Sequence, residues 1–281
     1  MSERVETVIV GGGQAGLALS YYLQTLGHEH VVLERGRVVE RWRSERWDSL
    51  HFQFPNWTLR LPGFAYRGPD PEAFSPCADV VRFLDEYADF VKPPLRSGVA
   101  VERVTRKPGS SRLLVQTADA TFEAASVVLA TGPYQRARRP AWSGKLPPGI
   151  VQLHSTEYRN PDQFPAGAVL VVGSGASGSQ IVEELITHGR RVFLSVGRHR
   201  RYPRRHRGRD LYWWLEAMGV VDQTDCYVGK VAKYVGGRRT FVACSNEYAS
   251  LIRLDSSNGR PMNVMPTGRP NEKPAGTVTS G

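Results

Sequence analysis

Three glycines spaced GxGxxG, Gly11, Gly13 and Gly16, and a carboxylate on the far side of one helix, Glu34, are the residues of this chain best placed to do chemistry. Gly11 permits a tight turn, Gly13 leaves room for a pyrophosphate against the backbone, and Gly16 lets the next helix pack close. A carboxylate at Glu34 can accept both hydroxyls of an adenosine ribose. The spacing recurs at Gly173, Gly175 and Gly178. Glycine makes up 28 of 281 residues, so chance supplies about 0.3 such triplets in a chain of this composition. Two copies, each between an apolar run and a helical pattern, therefore mark two dinucleotide sites. The copies differ in their acid. The offset that leads from Gly11 to Glu34 leads from Gly173 to Val196, and Ser195 and Arg198 stand nearby instead of a carboxylate. A hydroxyl and a guanidinium suit a 2′-phosphate, so the second site is expected to take NADPH in preference to NADH.

The elements that must hold these residues can be read from apolar spacing. Val8-Ile9-Val10 is a strand buried on both faces, followed by a helix over roughly Ala15 to Leu26 that stops at Gly27, and by a strand from His30 ending in Glu34. Residues 35–66, dense in Arg and Trp, form a structured loop that walls a long ligand. Cys77 to Val91 is an amphipathic helix with Val80, Val81, Leu84, Tyr87, Ala88 and Val91 on its apolar face, stopped by Pro93-Pro94. Gly98–Val104, Leu113–Thr117 and Thr121–Glu123 are the short strands of a meander, and Ser126 to Gly132 is a separate buried strand. Ligands of doubly wound sheets sit at the carboxyl ends of the strands, which puts Thr131 and Gly132 at the first site. Residues 133–148 form a Pro/Gly/Arg connector, Ala168 to Gly178 repeats the opening with a helix through Ile186, and Val228–Val235 and Arg239–Cys244 are further candidate strands.

The length suits one large or two modest domains. No stretch approaches the ~18 apolar residues of a membrane span, and Met1 to Arg4 runs straight into a strand instead of a signal peptide. Cys77, Cys226 and Cys244 form neither a CxxC pair nor a metal-like set, so a reducing, cytoplasmic setting and no metal are expected. Seven arginines between Arg198 and Arg209 carry most of the formal charge of +10. That localised charge fits a phosphate better than nucleic acid, since Tyr202 is its only aromatic. Neither a nucleic acid nor a membrane is expected as a partner, and oligomeric state is open.

The paired motifs, the Ala130-Thr131-Gly132 turn and the second turn's Ser177 with its following Ser195-Val196-Gly197-Arg198 resemble the flavin-containing monooxygenases and their bacterial relatives over about residues 5 to 218. The resemblance implies an α/β chain of two Rossmann-like dinucleotide-binding domains: FAD on the first, held by Gly11, Gly13, Gly16, Glu34, Thr131 and Gly132, and NADPH on the second, held by Gly173, Gly175, Ser177, Gly178, Ser195 and Arg198. Arg41-Trp42 is similar to the pair that flanks the flavin ring, and Gln53 aligns with an amide that faces it, the one catalytic candidate. A family motif of the form FxGxxxHxxx(Y/W) is matched by Trp142-Ser143-Gly144 and, after a longer gap, His154 to Tyr158. The tyrosine ending is similar to the heteroatom-oxygenating and indole-pyruvate branches. His154 is read as a structural histidine at the hinge ahead of a catalytic acid.

The implied activity is an NADPH-consuming monooxygenase. FAD, reduced by NADPH, takes up O2 as a C4a-hydroperoxide and passes one oxygen atom to a small soft nucleophile such as an amine or sulfide. Quinone reduction or oxidase activity, and non-catalytic nucleotide binding, use the same two sites. The expected domains are residues 1–140 for FAD, 141–165 as a connector, 166–254 for NADPH and 255–281 as a poorly ordered tail. Family members return after the NADPH domain to complete the FAD domain; the last 60 or so residues here do not resemble that return, so a shortened, frame-altered or aberrant member is expected.

Overall fold

The computed structural model describes residues 2–197, 203–219 and 221, with two short strands at 252–254 and 261–263. The candidate strands at Val228–Val235 and Arg239–Cys244 lie outside the described residues, as do Arg198, Tyr202, Cys226, Cys244 and most of the 255–281 tail.

The chain opens with β1 (Ser2–Val10), α1 (Gln14–Thr25) and β2 (His30–Glu34). Short α2 (Glu40–Ser44) and a ribbon of β3 (Arg60–Leu61) and β4 (Phe64–Ala65) occupy the long aromatic loop. There follow α3 (Cys77–Val91), β5 (Leu95–Ser97), β6 (Val101–Arg106), β7 (Leu113–Thr117) and β8 (Thr121–Leu129). One six-stranded sheet takes the order β5-β2-β1-β8-β7-β6. Its first four strands are parallel, and β7 and β6 turn back antiparallel.

The sheet corrects one expectation. Thr121–Glu123 and Ser126 onward are one strand, β8, because its first residues pair with β7 while its whole length pairs with β1, from Ser2↔Thr121 to Val10↔Leu129. The helix at 77–91 has the bounds its spacing predicts, but its buried face is Val80, Phe83, Leu84, Tyr87 and Val91; Phe83 takes the central place and Val81 is half-buried. Phe64 draws the face round, its ring centroid 5.4 Å from Phe83.

Alternation along the strands divides the core. Ile9, Val32 and Val128 face α1 through Leu19 and Leu23, while Val8, Val31, Leu33 and Val127 face the opposite side with Phe122 and Val115. Leu17 of α1 then packs on α3.

A second strand–helix–strand unit follows: β9 (Val169–Val172), α4 (Ala176–Thr187) and β10 (Val192–Ser195), the strands parallel. Val169, Ile181 and Leu185 meet Trp47 and Leu50 of the long loop and Tyr158 of the connector in one buried cluster. On the other face of β9 and β10, no described element packs: Leu170 is 59% exposed and its register partner Phe193 50%. A hairpin of β11 (Arg205–His206) and β12 (Arg209–Asp210) leads into α5 (Leu211–Ala217), whose Tyr212 packs on Phe54 and Trp57 of the long loop. The antiparallel pair β13 (Ile252–Leu254) and β14 (Pro261–Asn263) completes the described elements. No helix among the described residues is long and apolar enough to cross a membrane.

The two units are joined by a buried polar pair. Tyr158 Oη donates to Glu184 Oε2 at 2.6 Å, and both side chains are buried. Removing the hydroxyl strands a buried carboxylate, so Tyr158→Phe should destabilise the chain by about 1–3 kcal/mol. Burial, and after it the bond to Glu184, raises the Tyr158 pKa. The folded chain thus keeps a proton that the unfolded chain releases above about pH 10. That contribution is intact below pH 10 and is lost as pH rises further. Thermal melts against pH should show a lower midpoint and a shallower alkaline decline for Tyr158→Phe.

Candidate functional site

The first glycine turn lies where β1 ends beside β8. Gly11 has φ +115°, and a Cβ there would stand 2.5 Å from the Ala130 carbonyl oxygen, so glycine is required by both conformation and space. A Cβ on Gly16 would stand 1.9 Å from the Gly11 carbonyl oxygen. At Gly13 a Cβ would meet nothing within 4 Å, which leaves that side open to a ligand. Gly13 is also the N-cap of α1 and gives no side-chain acceptor; Leu17 is the first residue whose N–H returns to it, at 3.0 Å. The first-turn amides are therefore available to an anion.

Glu34 closes the other side. Its Oε2 accepts from the Gly12 amide at 2.7 Å and its Oε1 from the Gly36 amide at 2.9 Å. Each carboxylate oxygen keeps a second acceptor site, so the side chain is aimed before a ribose arrives. Neither amide donor was singled out in the sequence; a third glycine in the Gly11–Gly13 run and one two residues after the acid were the available signs.

Arg41 and Trp42 are brought to this turn by strained backbone. Val39, a β-branched residue at φ 51°, starts α2, its side chain is buried, and its amide donates to the Gly12 carbonyl at 3.2 Å. Arg41 bonds Glu45 Oε2 at 2.6 Å and the Tyr134 carbonyl, and its Nη1 comes within 4.0 Å of where a Cβ on Gly132 would be. Thr131 and Gly132 are exposed at the end of β8, Gly132 at φ +78°. Trp42 packs against Phe52 at 6.2 Å, with the Arg46 guanidinium 5.0 Å over its ring, and lines a narrow cleft with Gln14, Phe52, Leu59 and Phe83. Gly11, Gly13, Gly16, Glu34, Arg41, Trp42 and Gly132 thus share one site.

Gln53 is not bonded to it. The side chain is exposed and makes no hydrogen bond among the described residues. Its segment is tied instead to α4, through His51 N to Gln180 Oε1 at 3.1 Å and Gln180 Nε2 to His51 O at 3.0 Å. His154 is held in a local turn, its Nδ1 2.9 Å from Thr156 Oγ1 and its amide 2.6 Å from Glu157 Oε2. That amide, with Arg139, holds the Glu157 carboxyl below its usual range.

The second turn repeats the first. Gly173 has φ +106°, a Cβ on Gly178 would stand 2.0 Å from the Gly173 carbonyl oxygen, and Gly175 caps α4 with open space around it. Ser177 is exposed in the first turn of α4. Gly173 N donates to the Ser195 carbonyl at 3.0 Å as Gly11 N donates to that of Leu33 at 2.8 Å. Ser195 therefore holds the place of Leu33, and Val196, 43% exposed, holds that of Glu34. Arg198 lies outside the described residues.

Gly16→Ala and Gly178→Ala should each force a helix off its turn, costing about 1–3 kcal/mol, whereas Gly13→Ala should melt near the parent and lose dinucleotide affinity at the first site. Calorimetric melts beside ligand titration check the contrast.

Comparison with known proteins fits this geometry. The family described as Pyridine nucleotide-disulphide oxidoreductase matches residues 8–218. A CzcO-like oxidoreductase of Geobacillus kaustophilus, itself of uncharacterised activity, is 33% identical over 79% of this chain and 63% of its own length. An indole-3-pyruvate monooxygenase of rice, YUCCA8, is 32% identical over 67% of this chain and 47% of its own. Among solved structures, a mutant flavin monooxygenase from Stenotrophomonas maltophilia superposes with a TM-score of 0.64 at 27% identity, over 76% of this chain and 63% of that one. The chain thus spans less than two thirds of each of these relatives. With two matching dinucleotide turns and a family match across most of its length, the chain belongs to the pyridine nucleotide-disulphide oxidoreductase family and is similar within it to the flavin monooxygenases.

Proposed function

We propose that the chain is an FAD-dependent, NADPH-consuming monooxygenase that places one atom of O2 on a small soft-nucleophile substrate. The observation that carries this reading is the pair of turns with matching backbone contacts and opposite acid content: Glu34 aimed by two amides at the first, Val196 at the same place in the second. An acid there selects the free ribose hydroxyls of FAD, and its absence tolerates the 2′-phosphate of NADPH. In this reading residues 1–140 hold FAD and 166–254 hold NADPH.

The open amides of Gly13 to Gly16 take the FAD pyrophosphate, Glu34 the adenosine ribose, and Arg41, Trp42 and the Thr131-Gly132 turn border the rest of the cofactor. FAD, when bound, supplies two-electron and oxygen chemistry that no side chain can perform. The amides before α4 take the NADPH pyrophosphate, with Ser177 and Ser195 beside it and Arg198 as the guanidinium for its 2′-phosphate. The aromatic wall of Trp42 and Phe52 excludes water. Gln53 is the amide assigned to the flavin ring. Each turnover consumes one NADPH, one O2 and one proton, inserts one oxygen atom and releases one water. The rice relative is named for indole-3-pyruvate, so 2-oxo acids belong in a substrate panel beside amines and sulfides.

The purified chain should show a flavin spectrum that bleaches with anaerobic NADPH, and oxygenated product should then rise above the peroxide background with a substrate of the panel. Bleaching that leads only to peroxide or to quinone turnover would leave an oxidase or reductase. A colourless chain that binds NADPH would leave a nucleotide-binding protein. Val196→Glu should shift the second site toward NADH by about tenfold or more in relative kcat/KM, since it places an acid where the 2′-phosphate would sit.

A further inference from the structure

The segment from Thr131 to Gln152 contains no acidic residue and carries Arg136, Arg138, Arg139 and Lys145. Several large apolar side chains in it also meet solvent. Tyr134 is 71% exposed, Trp142 46%, Ile150 49% and Val151 48%. The backbone beneath them is fixed. Pro133, Pro140, Pro147 and Pro148 restrict it, and Ala141–Lys145 forms a 3-10 turn. Gln152 Nε2 donates to the Ser143 carbonyl at 3.2 Å, its carbonyl accepts from Arg139 Nη1 at 3.3 Å, and Ile150 N donates to the Pro147 carbonyl at 3.0 Å. The segment is thereby folded back on itself, with Trp142 and Val151 each one residue from the Ser143–Gln152 bond. Arg139 is engaged with Glu157 at 2.5 Å, whereas Arg136, Arg138 and Lys145 make no ion pair among the described residues.

Tryptophan and tyrosine beside aliphatic tips and unpaired cations is the composition that lodges at a headgroup boundary. A nucleic-acid surface would use the aromatic rings for stacking, but Ile150 and Val151 would gain nothing from bases. They do gain from acyl chains. We propose that this patch docks the chain on the surface of an anionic bilayer, with Trp142, Ile150 and Val151 at the headgroup boundary and Arg136, Arg138 and Lys145 over the headgroups. No membrane is expected as a partner on the ground that no stretch is apolar enough to span one, but docking on a bilayer surface needs no such stretch. The segment starts at the Thr131-Gly132 turn of the first site, and the docking residues follow that turn from Arg136 onward.

Co-sedimentation of the full chain with phosphatidylcholine vesicles, with and without roughly 30% phosphatidylglycerol, tests this directly. Retention is expected on the anionic vesicles and should fall as salt is raised. Arg136→Gln with Arg138→Gln should weaken it about twenty-five-fold, since each basic residue near the surface contributes close to a factor of five. Trp142→Ser with Ile150→Ser and Val151→Ser should leave only weak, salt-sensitive binding. All these side chains are exposed, so unchanged melts will show that the variants fold. No retention on anionic vesicles, or equal retention of parent and variants, overturns the proposal. So does a solution mass that falls from dimer to monomer in the serine variant while vesicle binding is absent, an outcome that would assign the patch to self-association.

Discussion

Between the carbonyl oxygen of Gly11 and the α-carbon of Gly16 there is no room for another carbon atom. That contact sets where α1 starts, and the position of α1 decides the rest of the first site. Its open amides face the turn, Gly12 is left free to bond both Glu34 and Val39, and Val39 in turn launches α2 with Arg41 and Trp42. A backbone-to-backbone approach is rigid because neither partner has a rotamer to change. The same contact between Gly173 and Gly178 shows that the chain solved this problem twice with the same device.

The two solutions are not equally supported. Around the first turn the sheet is six strands wide and covered on both faces, so Glu34 and its donors are held on a stiff frame. Among the described residues the second unit has two strands, α4 on one face and Leu170 and Phe193 exposed on the other. Parallel strands are ordinarily covered on both sides. What steadies the second unit is its seam with the first: Trp47 and Leu50 against Ile181 and Leu185, Tyr158 on Glu184, and His51 on Gln180. The long aromatic loop thus works as a wall for one site and a mount for the other.

Features set by neighbours in sequence could be read before the structure was known. The glycine spacing, the acid at position 34 and the helix at 77–91 between Pro76 and Pro93 are of this kind. Features set by distant partners could not. β8 reads as two strands because Ala124 and Ala125 interrupt its β-branched run, and only pairing to β1 makes it continuous. Val39 gives no sign of a left-handed backbone, since that conformation is imposed by the bond to Gly12 and by burial. The place equivalent to Glu34 falls on Val196 and leaves Ser195 in the ladder, a distinction of register that counting residues suggests but that only the Gly173–Ser195 bond establishes. The Tyr158–Glu184 pair joins two segments that carry no shared motif.

The long pairing of β1 with β8 has a consequence for how the chain is made. β1 leaves the ribosome well before its widest partner, which begins at Thr121 and ends at Leu129. At ~5–20 residues per second, the apolar run Val8-Ile9-Val10 waits roughly 6–25 s for that partner. α1 and β2 emerge sooner and can shelter one edge, while β6, β7 and β8 can assemble as a local meander before β1 is captured. Until then two strand edges of high β-propensity stand open on the same nascent chain. The meeting of β1 with β8 is therefore the step during which the nascent sheet is most open to pairing with another chain.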